Sequence, residues 1–148
     1  MTGAEAARTL VARGRTAALA TIGPDGAAWA SLVLYAPLAD GPPILCLSTL
    51  AEHGRNVVRD PRVSLLVGEA DIAGDPLDSG RVTLAGRLEP VETEEARAAY
   101  EAVSPAANAY GGFGDFTFYA LRVERVRWVG GYGRMASIDA AAYHAASG

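Results

Sequence analysis

The chain has 148 residues, half of them apolar, with 13 basic against 17 acidic side chains and a formal charge of −4. That length and composition describe one domain with material for a real core, and exclude a disordered chain or a simple coiled coil. The acidic balance argues against a nucleic-acid partner, whose phosphates need a basic face, and no apolar run approaches a membrane span.

In chain order, residues 2–14 read as a helix, with Thr2 and Glu5 at capping-box spacing and Gly14 as the stop. Residues 15–23 read as a strand, Pro24-Asp25-Gly26 as a turn, and residues 27–36 as the returning strand of a hairpin. A second turn over 37–43 leads to a strand over 44–49. A short helix over 52–59 is stopped by Asp60-Pro61, because the residue before proline avoids the helical region. Residues 62–69 form a strand, 70–80 a polar loop, and 81–91 another strand in which Gly86 marks a bulge. Residues 93–103 form a helix with an acidic first turn. An irregular stretch over 104–115 precedes a long strand over 116–131, whose alternation breaks once near Glu124-Arg125. The tail from 139 to 148 is a small helix capped by Asp139. About six strands at short spacing, flanked by helices, predict a mainly β (α+β) domain over 1–148: a closed or nearly closed antiparallel barrel.

All thirteen basic residues are arginine; lysine and glutamine are absent. Schiff-base chemistry and a P-loop lysine are therefore excluded, and any anion must be held by arginine, histidine, hydroxyls or backbone N–H groups. The single Cys46 permits no internal disulfide, and the N-terminus lacks the order of a signal peptide, so the cytoplasm is expected. One cysteine and two distant histidines, His53 and His144, make no metal signature. The glycines of residues 130–134, "GGYGR", read either as a phosphate-type loop or as a tight reversal after a strand.

The stretch "LSTLAEHGRNVVRDP" places Ser48, Thr49, His53 and Arg55 around a helix start. Free N–H groups and a partial positive charge at such a terminus attract anions. Two readings stay open: a phosphate seat, or an ordinary cap with a solvated face.

That stretch, followed by "DPLDSGRVTLAGRLEPVE" and "FGDFTFYALRVERVRWVGGYGR", resembles the pyridoxamine 5′-phosphate oxidase-like, FMN-binding split-barrel superfamily, and most of all its haem-utilisation (HugZ-type) branch. The resemblance implies a six-stranded antiparallel split barrel forming a homodimer, with FMN sites shared between the chains. It assigns Ala30, Ser31, Leu32 and Val33 to the flavin ring, and Ser48, Thr49 and His53, with Arg55 alongside, to its phosphate. Arg81 would come from the partner chain, and Gly131, Tyr132 and Arg134 would approach the ring from a C-terminal loop. Function is then expected to be an FMN-dependent oxidoreductase acting on a small molecule, with no catalytic acid or base assigned. Haem binding or degradation is the alternative, for which His144 is the candidate iron ligand; a non-catalytic flavin-binding module is the third reading. The arginine-and-histidine signature for pyridoxal phosphate is absent, which sets pyridoxamine phosphate aside as substrate.

Overall fold

The computed structural model describes residues 1–38, 42–107 and 114–146. Parts of the turn expected over 37–43 and of the irregular stretch over 104–115, and the last two residues of the tail, lie outside the described residues. Four α-helices occur among the described residues: α1 (Gly3–Arg13), α2 (Glu52–Arg59), α3 (Glu94–Val103) and α4 (Ala140–Ala145). The strands are β1 (Thr16–Ile22), β2 (Ala28–Leu34), β3 (Ile44–Ser48), β4 (Arg62–Gly68), β5 (Arg81–Pro90), β6 (Phe116–Gly131) and β7 (Arg134–Asp139). They form one antiparallel sheet in the order β2-β1-β4-β5-β6-β3, with β7 added to β6. Between its edges β2 and β3 the sheet does not close, as a split barrel requires.

β6 organises this sheet. One of its edges pairs with β5 from Tyr119 to Val129. The other edge is divided: residues 116–120 pair with β3 and residues 125–131 with β7. Between the two halves the register slips, so that Ala85 faces Arg125 but Gly86 faces Val123. The inserted residue places both Glu124 and Arg125 outside and returns Val126 to the core beside Val123. Gly86 makes room for it, since a Cβ there would sit 1.9 Å from the Arg122 carbonyl oxygen. The bulge expected at Gly86 and the broken alternation near Glu124 are thus two sides of one feature.

β7 was not expected from the sequence, which gave six strands rather than seven. Its residues carry no β-branched run, and they form a strand because β6 beyond the bulge offers them a free edge. The reversal that delivers them is tight: Gly131 and Gly133 have φ of 128° and 77°, values open to glycine.

Inward rows of β1, β4, β5 and β6 fill the barrel with Leu19, Leu65, Leu84 and Leu121, all fully buried. One end is sealed by helices. α1 begins as its sequence predicts, with the Thr2 hydroxyl accepting from the Glu5 N–H at 3.1 Å. It packs on α4, where Asp139 caps the Ala142 N–H at 2.8 Å. The Arg8 guanidinium donates to the carbonyls of Tyr143, His144 and Ala146 at 3.1, 3.2 and 2.9 Å, so a cation completes the C-terminal end of α4. The described part of the tail is therefore docked, with Tyr143 fully buried.

Two buried tyrosines differ in one respect. Tyr35 donates to the Val11 carbonyl at 2.8 Å, whereas the Tyr143 hydroxyl has no partner among the described residues. Removing the Tyr35 hydroxyl should cost about 1 kcal/mol; Tyr143→Phe should leave stability unchanged or raised. Gly86→Ala forces a side chain against backbone and should cost about 3 kcal/mol or more. Urea midpoints of the three variants check this ordering, which fails if Tyr143→Phe is the most damaging or Gly86→Ala melts like the parent.

Candidate functional site

At the junction of β3 and α2 the chain is tightly packed. Gly54 lies so close to the end of β3 that a Cβ would stand 1.9 Å from the Ser48 carbonyl oxygen. Ser48 donates its hydroxyl to the Asp115 carboxylate at 2.7 Å and accepts from the Leu50 N–H at 3.0 Å. The N–H groups of Thr49 and Ala51 go to the carbonyls of Asp115 and Ser48. Arg55 reaches back to the Thr49 carbonyl at 3.0 Å. Neither Ser48 nor Thr49 caps the helix: the N-cap is Ala51, with no side-chain bond. His53 is half-buried, and burial lowers its pKa, so the ring is neutral at pH 7. The Ser48 hydroxyl is thus engaged by a carboxylate of the same chain, while no side chain caps the first turn of α2.

The remaining residues of the expected flavin site divide between the two ends of the barrel. α2 lies at the end where Asn56 donates to the Thr21 hydroxyl at 3.0 Å, near β2 and its Ala30, Ser31, Leu32 and Val33. Arg81, Gly131, Tyr132 and Arg134 occupy the opposite end. Arg81 faces Gly68, and the seven residues of β4 from Arg62 to Gly68, six steps of the strand, span about 20 Å. There Arg81 donates to the carbonyls of Leu77 and Ser79, and Tyr132 donates its hydroxyl to Asp75 at 2.7 Å and its N–H to Asp78 at 3.2 Å. These bonds tie the loop before β5 to the β6–β7 turn. Arg134 lies 5.7 Å from the Trp128 ring. One chain does not bring the two groups together.

A third feature escaped the sequence reading. On the outer face of the sheet, β4 to β7 enclose a groove of about 620 Å³, within the range of small-molecule sites. Ser64, Thr83 and Ala85 form its floor, and Arg125 and Arg127 stand along β6. The other arginines of this face have partners: Arg62 with Asp60 at 2.7 Å, Arg87 with Glu124 at 3.8 Å, Arg122 with Glu89 at 3.5 Å, and Arg81 with the carbonyls above. Arg127 instead donates to the Ser137 hydroxyl at 2.9 Å, and Arg125 has no side-chain bond or ion pair among the described residues. Asp139 faces Arg125 in register, but its carboxylate caps α4. Two cations against one carboxylate that is engaged as a helix cap, over small and hydroxyl side chains, suit an anionic, partly apolar ligand. Only the broken alternation at Glu124-Arg125 signalled this in the sequence.

No group of three or more potential metal ligands occurs among the described residues. His144 is exposed on α4, beyond the groove lining. Buried Cys46 has its thiol pKa pushed up to about 11, chiefly by burial, so it is unreactive. As pH falls below about 6.5, the unfolded chain takes up the His53 proton before the folded chain does. His53 therefore makes stability fall between neutral pH and pH 5, and His53→Gln should lose less over that interval. Urea midpoints at pH 7.5 and 5.5 measure it; equal losses in parent and variant would contradict this.

Comparison with known proteins agrees with this architecture. The family model described as CREG, β-barrel, matches residues 1–145. A haem-binding protein from Mycobacterium smegmatis superimposes with a TM-score of 0.93 at 48% identity, over 99% of this chain and 62% of that one. The chloroplastic non-canonical haem oxygenase HOZ of Arabidopsis thaliana is 40% identical over 106 residues, which are 68% of this chain and 31% of that protein. This chain thus spans under two thirds of either relative. HutZ, the haem storage protein of Vibrio cholerae, shares the fold with a TM-score of 0.69 at 21% identity, over 80% of this chain and 88% of that one. With its seven-stranded open sheet, the chain belongs to the CREG β-barrel family, within the FMN-binding-like split-barrel superfamily that its motifs resemble.

Proposed function

We propose that this chain binds haem on the outer face of its sheet, as a homodimer. The observation that carries the reading is the 48% identity, over nearly the whole chain, to a protein described as haem-binding. The groove adds physical support, because haem is a flat apolar ring with two carboxylates, and the groove offers a small-residue floor beside two cations. When bound, haem would supply redox-active iron; Arg125, Arg127 and the hydroxyls of Thr83 and Ser64 would hold and orient it. An FMN-dependent redox role is the alternative on this fold, and the Ser48–Asp115 bond weighs against it. No helix among the described residues is long and apolar enough to cross a membrane. We place the protein in the cytoplasm, where Cys46 stays reduced.

The dimer rests on the same face. The outward row of β1 and β2, continued on β4, runs through Ala18, Ala20 and Ala30 to Leu32, Leu34 and Leu66, the three leucines being 79%, 36% and 46% exposed. A contiguous apolar face of this kind marks an interface.

Titration of the purified chain with haem should give a shifted Soret band that saturates, while FMN at the same concentrations leaves its fluorescence unquenched. Quenched flavin with an unshifted Soret band would overturn the reading in favour of FMN. Light scattering should give twice the chain mass, and Leu32→Arg should halve it; a monomer mass for the parent would remove the dimer.

A further inference from the structure

We infer that the groove recognises the paired carboxylates of a tetrapyrrole rather than its metal, so that haem and metal-free porphyrin enter the same site with similar affinity. This rests on the haem reading above and sharpens it.

The lining carries the argument. The side chains around the groove are serine, threonine, alanine, valine, isoleucine, arginine and one aspartate. None is a histidine, cysteine, methionine or tyrosine, the side chains that commonly bind haem iron. The aspartate, Asp139, is held by the N-terminus of α4. The net charge of the groove lining is positive and comes from alternate residues of one strand, Arg125 and Arg127, on the same face about 7 Å apart. Guanidinium groups at that spacing each present a fork to one carboxylate. The bulge is what puts Arg125 in this row, since regular alternation after Val123 would turn it inward. Thr83 and Ala85 face the two arginines across the β5–β6 ladder, and their small size leaves the floor open to a planar ring. The opposite orientation, ring edge toward solvent and carboxylates away from β6, would leave both guanidinium groups without an anion of the ligand.

The experiment measures four ligands by quenching of the intrinsic tryptophan fluorescence: haem, metal-free protoporphyrin, its dimethyl ester, and FMN. The proteins are the intact chain, the double variant Arg125→Leu/Arg127→Leu, and Arg122→Leu, an arginine of the same face that is paired with Glu89. All three are exposed side chains, and circular dichroism confirms that the variants fold. The intact chain should bind haem and protoporphyrin within about threefold of each other, and the ester about tenfold or more weakly. The double variant should lose about tenfold or more for haem and protoporphyrin alike and no longer distinguish the ester, while Arg122→Leu binds as the parent does. Haem held much more tightly than protoporphyrin would show that iron ligation dominates, and an unchanged double variant would place the carboxylates elsewhere; either result overturns the inference while leaving haem binding intact. A chain that binds neither haem nor protoporphyrin overturns the haem reading itself.

Discussion

One inserted residue in β6 is the constraint on which the other features depend. The 16 residues of this strand pair with β3 at one end and with β7 at the other. The bulge at Glu124 bends it, and the glycine opposite, Gly86, is the residue that lets the backbones approach. On the inside, the bulge keeps Val123 and Val126 in one core. On the outside, it exposes two consecutive charged residues and aligns Arg125 with Arg127. Barrel curvature and groove chemistry therefore have a common origin.

The second organising factor is how a net-acidic chain distributes arginine. Most cations of the outer face are neutralised by a nearby carboxylate or by carbonyls. Such exposed pairs add little stability, but they remove competing anion sites. What is left is a short cationic row beside small side chains. At the β3–α2 junction Asp115 instead supplies an anion from within the chain to the Ser48 hydroxyl, and the Thr49 and Ala51 N–H groups serve backbone carbonyls. Within one fold, Ser48 at the expected phosphate site is held by a carboxylate of the same chain, and a short row of arginines lies on another face.

Much of this was legible in the sequence where the cause is local. The caps at Thr2 and Asp139, the Pro24-Asp25-Gly26 turn, the Asp60-Pro61 stop and the glycine-rich reversal before β7 each depend on a few adjacent residues. The bulge was legible too, as a lapse in period-two alternation. The motif order led to the right superfamily and to haem as the alternative reading. What escaped depends on distant partners. Ser48 and Asp115 are 67 positions apart, and Arg8 meets the Tyr143 carbonyl 135 positions away. β7 was hidden because its residues are strand-like only against β6. The groove was hidden because its floor comes from Ser64, Thr83 and Ala85, residues with no individual chemistry to single them out.

The proposed ligand site is the outer face across β4 to β7 and not the β3–α2 junction. Nuclear magnetic resonance of the isotope-labelled chain tests it most directly, comparing paramagnetic iron(III) protoporphyrin with diamagnetic zinc protoporphyrin. The iron form should selectively broaden the backbone amides of Thr83, Ala85, Arg127 and Ser137 and spare those of residues 48–55. Broadening confined to residues 48–55, with β5, β6 and β7 unaffected, would contradict it.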